Sequence, residues 1–138
     1  DLRQSDGRAA NISTRGTVSA DAFMIAGCIV GGTQTRQLVI RALGPSLRNR
    51  GVSDALSDPR LQLFNAHGTA VAMNDNWQDG ANAAAIQALG LAPESTNEAA
   101  LLVSLAPGAH TAIEQPGAGE SGVGLIEIYE VTPAARPD

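Results

Sequence analysis

"RLQLFNAHGTAVAM", Arg60 to Met73, alternates apolar and polar positions on either side of a short polar break. Alternation of this kind places every second side chain on one face of an extended chain, which marks a half-buried strand. Leu61 and Leu63 share one face. The pattern predicts that Val71 and Met73 join them there, across a turn supplied by Asn65, Ala66, His67 and Gly68. A helix would need apolar residues three and four apart, and this stretch lacks them.

The same period recurs on both sides of it. Upstream, "RQLVIRALGPSL" reads as a strand from Gln37 to Leu43, stopped by Gly44-Pro45. "DAFMIAGCIVGG" is apolar on both faces, which predicts a central, doubly covered strand ending at Gly31-Gly32. With "GGTQT" between them, these two runs are expected to form a hairpin. "NISTRGTVS" adds an extended segment with Ile12, Thr14 and Val18. "LRNRGVSDALSDP" has no clean period and reads as a loop with one helical turn. Downstream, "ANAAAIQALGL" carries Ile86 and Leu89 three apart, and Gly90 stands where a helix would stop. That is the one short helix expected, near residues 80–89. Leu101, Val103 and Leu105 alternate again, Pro107-Gly108 marks a turn, and "VGLIEIYEV" closes the series.

Many short strands and one helix leave too few crossovers for a parallel sheet. The fold class is all-β, an antiparallel β-sandwich or jelly-roll. Residues 1–10 read as a flexible N-terminal arm, 11–131 as a single sandwich domain and 132–138 as a C-terminal tail. The 138 residues suffice for one substantial core. Aromatics make up only 3%, so that core is aliphatic.

Composition also narrows function. The net charge is −5, and all nine basic residues are Arg, scattered along the chain. No basic patch for nucleic acid results. With no Lys, a Schiff base or a P-loop is excluded. No apolar run approaches the ~20 residues of a membrane helix. Cys28 is the only cysteine, so an internal disulfide is ruled out, and its apolar setting suggests an inert thiol. Arg36, Arg41, Arg48, Arg50 and Arg60 are expected to pair with surface acids. "NIS" at Asn11–Ser13 fits the glycosylation acceptor pattern, a three-residue match that is expected to be chance.

Taken together, Asp58, Leu61, Leu63, Gly68, Asn74, Asp75, Leu105, Gly108, Gly122 and Leu125 form a spaced string that resembles the bacterial pre-peptidase C-terminal type of β-sandwich domain. The likeness covers about residues 58–131. Each element is short and degenerate, and the string as a whole carries it. The sequence departs from the family pattern at His110, where Tyr is usual, and at Asn76, which replaces a second acidic residue. The latter removes a carboxylate where family members can hold calcium. The N-terminal half is similar to the start of a repeat-like domain of large secreted bacterial proteins. The resemblance implies an extracellular or cell-surface location.

Candidate sites are few. In "NDNWQDG", Asn74, Asp75 and Asp79 are weak calcium candidates, since Ca²⁺ takes six to eight oxygens. Trp77 interrupts the EF-hand spacing. It is a candidate carbohydrate or partner contact. The preferred reading is structural: the Asn and Asp side chains satisfy turn backbone groups, Asp79 or Asn82 caps the helix, and Trp77 covers a sheet edge. No catalytic residue is assigned. Ser46 and His110 could be combined with an Asp only on paper, because "GPSL" is not a nucleophile elbow. His67 falls in an exposed turn. No resident cofactor is expected.

The leading expectation is a non-enzymatic extracellular module for adhesion, accessory binding or surface assembly, meeting other protein chains or copies of itself. One alternative is a filament subunit assembled by strand exchange through the N-terminal arm and "NISTRGTVS". A second is a calcium-stabilised substrate-binding domain accompanying a secreted hydrolase.

Overall fold

The computed structural model describes residues 12–131; the N-terminal arm, Asn11 and the C-terminal tail lie outside the described residues. Eight strands form in chain order: β1 (Ile12–Val18), β2 (Met24–Val30), β3 (Arg36–Leu43), β4 (Arg60–Phe64), β5 (Ala70–Asn74), β6 (Ala99–Leu105), β7 (Gly108–Gln115) and β8 (Gly122–Glu130). They make two four-stranded sheets, ordered β1-β8-β3-β6 and β2-β7-β4-β5. Every strand pairing within them is antiparallel. The sandwich expected from the alternation is therefore present. Short 3₁₀ turns occupy Pro45–Arg50 and Trp77–Asp79, and the only α-helix among the described residues, α1, spans Ala83–Ala88. Gly90, at positive φ, follows it as expected.

The main core lies between the sheets. Val18, Leu38, Ile40, Leu61, Leu63, Ile126 and Ile128 meet there. A second cluster covers the outer face of the β1-β8-β3-β6 sheet, where Val39, Ala100 and Tyr129 are packed by Trp77, Ile86 and Leu91. β3 is thus buried on both faces, with Val39 and Ile40 from adjacent, opposite-facing positions both enclosed. The Ala-rich helix is short because its job is local: Ile86 is its one buried residue.

Three sequence expectations are corrected. First, β2 is an edge strand, and β2 and β3 do not form a hairpin. "GGTQT" crosses between sheets, with β2 pairing to β7 and β3 to β6 and β8. An apolar run alone could not tell which of the two strands is covered on both sides. Second, Val71 and Met73 do not share the Leu61/Leu63 face. A register shift between Leu63 and Phe64 sets Leu61 opposite Asn74 and Leu63 opposite Ala72. One extra residue reverses which side chains face inward. Ala72 therefore packs on the core while Val71 and Met73 point to solvent. The turn itself forms as expected, with Asn65 Oδ1 accepting from the N–H of His67 and Thr69. Third, Asn82 occupies the N-cap position without capping, and its amide instead donates to the carbonyl of Leu102 at 3.2 Å.

Candidate functional site

The turn after β5 is tied to its neighbours by side-chain hydrogen bonds. Asn74 Oδ1 accepts from Ala100 N–H at 3.1 Å, and its Nδ2 donates to Asn76 O at 3.2 Å, which ties β5 to β6. Trp77 is only 7% exposed; its indole N–H donates to Ser95 O, and its ring belongs to the second cluster. Little of Trp77 is left open, and that part borders a small hollow shared with Asn82, Ala83 and Leu102. Asp75 lies 3.9 Å from Arg60, and Asp79 is exposed on the 3₁₀ turn. Among the described residues, no group of three or more His, Cys, Asp or Glu is placed to hold a metal ion.

Asp75 instead belongs to an acidic neighbourhood that periodicity could not show. Asp58 is held above the ordinary carboxyl range by burial first, then by the charges of Asp75 and Glu120, with Arg60 opposing. Asp75 lies close enough that a proton on Asp58 is favoured by it. The raised value means that this group's contribution is present below the unfolded Asp range and lost as pH rises above it. Asp58→Asn keeps a donor toward Asp75 without the charge. It is expected to raise the melting temperature by a few degrees at pH 7 and not at pH 3, measured by calorimetry. An equal shift at both pH values would contradict this electrostatic account.

The residues considered for catalysis stand apart. Ser46 Oγ donates to Glu98, not to His110. His110 is buried in β7 with Nε2 2.9 Å from Ala106 O. His67 is exposed in its turn. The Arg side chains are engaged as expected: Arg36 with Glu130, Arg41 with Glu127, Arg50 with Glu94 and Arg60 with Asp75. Arg48 donates to the carbonyl of Ala55 and to Ser57. Arg41 also lies over the Tyr129 ring, 5.3 Å from its centroid.

Two buried acids escaped the sequence reading. Glu98 is fully buried and accepts four hydrogen bonds, from Gly44 N–H, Ser46 N–H, Ser46 Oγ and Ser95 N–H. It holds the Gly44-Pro45-Ser46 turn against the loop before β6. Glu114, also fully buried, accepts no hydrogen bond on either oxygen from the described residues. Its carboxyl rests on the backbone of Gly124, where a Cβ would come within 2.6 Å. Burial, and secondarily the charge of Glu98, push Glu114 up to about 9.

Five large apolar side chains among the described residues are exposed. On the outer face of the β2-β7-β4-β5 sheet, Ile25 is 60% exposed, Ile29 82%, Val71 48% and Met73 66%. Phe23, just before β2, is also exposed. Beside β2 opens a groove of ≈ 260 Å³ lined by Ile12, Cys28, Val30, Leu38 and Ile128, with the Arg36–Glu130 ion pair on its wall. Cys28 is half-buried there, and burial followed by the charge of Glu130 raises its thiol, disfavouring the reactive thiolate. The signal for this face was in the sequence, in the unbroken apolar run of β2, but it read as core.

Comparison with solved structures agrees with this architecture. No family model and no curated protein matches the sequence. The chain is similar to the pre-peptidase C-terminal domain of a collagenase from Bacillus anthracis, with a TM-score of 0.53 and 11% identity, over 86% of this chain and 89% of that one. What the two share is the fold, the β-sandwich of a pre-peptidase C-terminal domain.

Proposed function

We propose that this chain is a non-catalytic β-sandwich module of a secreted or surface-displayed bacterial protein, acting by contact with other protein chains. The observation that carries the reading is the apolar outer face of the β2-β7-β4-β5 sheet. Exposed apolar patches on a folded domain mark interaction surfaces more often than chance exposure does. Two further facts support it. The catalytic candidates are committed to structural hydrogen bonds, and the similar solved structure is a domain of a collagenase, as an accessory module would be. No helix among the described residues is long and apolar enough to cross a membrane.

The test is site-specific photocrosslinking in the secreted fraction of a producing cell. A crosslinker at Met73 is expected to give discrete protein adducts, and one at Ser13, exposed on the other sheet, to give none. Silence at Met73, or equal labelling at both positions, would overturn the reading.

A further inference from the structure

β2 ends its sheet, so among the described residues its backbone is paired on one side only, to β7. Natural edge strands are protected by charges, Pro, bulges or covering segments. β2 has none of the first two: Phe23 to Gly32, "FMIAGCIVGG", contains no charged residue and no Pro. Its pairing with β7 runs without a register shift. An unbroken, uncharged edge with Ile25 and Ile29 outward is a template for a further strand.

The sequence of the strand says which one. Read outward from Gly27, it is nearly symmetric: Ala26 against Cys28, Ile25 against Ile29, Met24 against Val30. Antiparallel pairing of two copies about a two-fold axis at Gly27 would set these residues directly opposite each other. On the outer face, Ile25 meets the partner's Ile29 twice, and Phe23 lies over the partner's Gly31, which leaves room for a ring. On the inner face, Ala26 opposes the partner's Cys28 and Met24 the partner's Val30, all uncharged. No like charges meet anywhere along the strand. Opposed apolar pairs of this kind approach to about 5 Å and stabilise a sheet.

We infer that the chain forms a two-fold homodimer through β2, joining two four-stranded sheets into one of eight strands. The inference rests on the contact role proposed above and adds a second contact: β2 joins a second copy, while Met73 on β5, at the opposite edge of the sheet, stays free for another protein.

Gly27 supplies the test. A Cβ there would meet nothing within 4 Å, so Gly27→Cys fits the fold. In a Cys28→Ser background, mild oxidation is expected to link the two position-27 thiols, because opposed Cα atoms in an antiparallel pair lie within disulfide range. Sedimentation of the otherwise unaltered chain is expected to show a monomer–dimer equilibrium. Ile29→Lys, at an exposed position, should weaken it at least about 100-fold with an unchanged circular dichroism spectrum. A monomer at millimolar concentration, a dimer indifferent to Ile29→Lys, or a dimer whose position-27 thiols stay unlinked would each overturn the inference. A monomeric chain that still gives Met73 adducts to another protein would sink the dimer while leaving the contact role standing.

Discussion

Glu98→Ala is expected to lower the free energy of unfolding by about 3–5 kcal/mol, among the largest effects a single substitution can have in this domain. The cause is local. Four donors converge on one fully buried carboxyl, three of them from the Gly44-Pro45-Ser46 turn. Removing the acceptor strands the N–H groups of Gly44 and Ser46 away from water, and each orphaned donor costs about 1–3 kcal/mol. The turn cannot relax to find another acceptor, because a Cβ on Gly44 would already lie 2.2 Å from Leu56 O. Urea titration at pH 7 measures the effect. A loss below about 1 kcal/mol would show that the turn is held by packing alone.

Glu114→Gln is expected to stabilise the protein at alkaline pH and to flatten its stability-versus-pH profile. The folded value near 9 lies far above the ordinary 4.5 of the free group, so native Glu114 stays protonated where the unfolded chain ionises. The contribution is fully present below about pH 4.5 and is lost as pH rises through about 9. One proton held only by the native state gives a slope of roughly 1.4 kcal/mol per pH unit, so about 4 kcal/mol disappears between pH 5 and pH 8. Gln has nearly the same shape and no charge to bury, and the hollow above Gly124 accommodates it. Unfolding free energies of both proteins at pH 5, 7 and 8.5 decide the matter. Parallel profiles for wild type and variant would place the pH dependence elsewhere.

The strands were legible because alternation of apolar residues is a local property of the chain. The sandwich followed from their number and from the scarcity of helix. Partners and faces were not legible where they depend on distant segments. The apolar run of β2 and that of β3 look alike in sequence, yet β3 is covered by α1 and the Trp77 turn while β2 lies at an edge. Leu61 and Met73 were assigned one face because the bulge at Leu63/Phe64 leaves no mark in the residue types around it. That Trp77 covers a sheet edge was legible as the largest apolar group of its stretch, but not what fixes it there: Glu98 O and Ser95 O, from a loop some twenty residues later. Nothing local marks Glu98 and Glu114 as buried, since what encloses them comes from other segments of the chain. The apolar outer face was hidden for the same reason. A sequence shows that Ile25 and Ile29 are apolar but not that nothing in the chain covers them.

The first strand and the last lie side by side, with Ile12 opposite Ile128 and the two running antiparallel. Positions 12 and 131 therefore leave the sandwich at the same end. If the domain is tethered through both, tension between the tethers peels β1 from β8 one rung at a time instead of shearing all rungs together. Such an arrangement yields at low force. A chain carrying this domain in series would extend under load at this point first, sparing more firmly anchored neighbours.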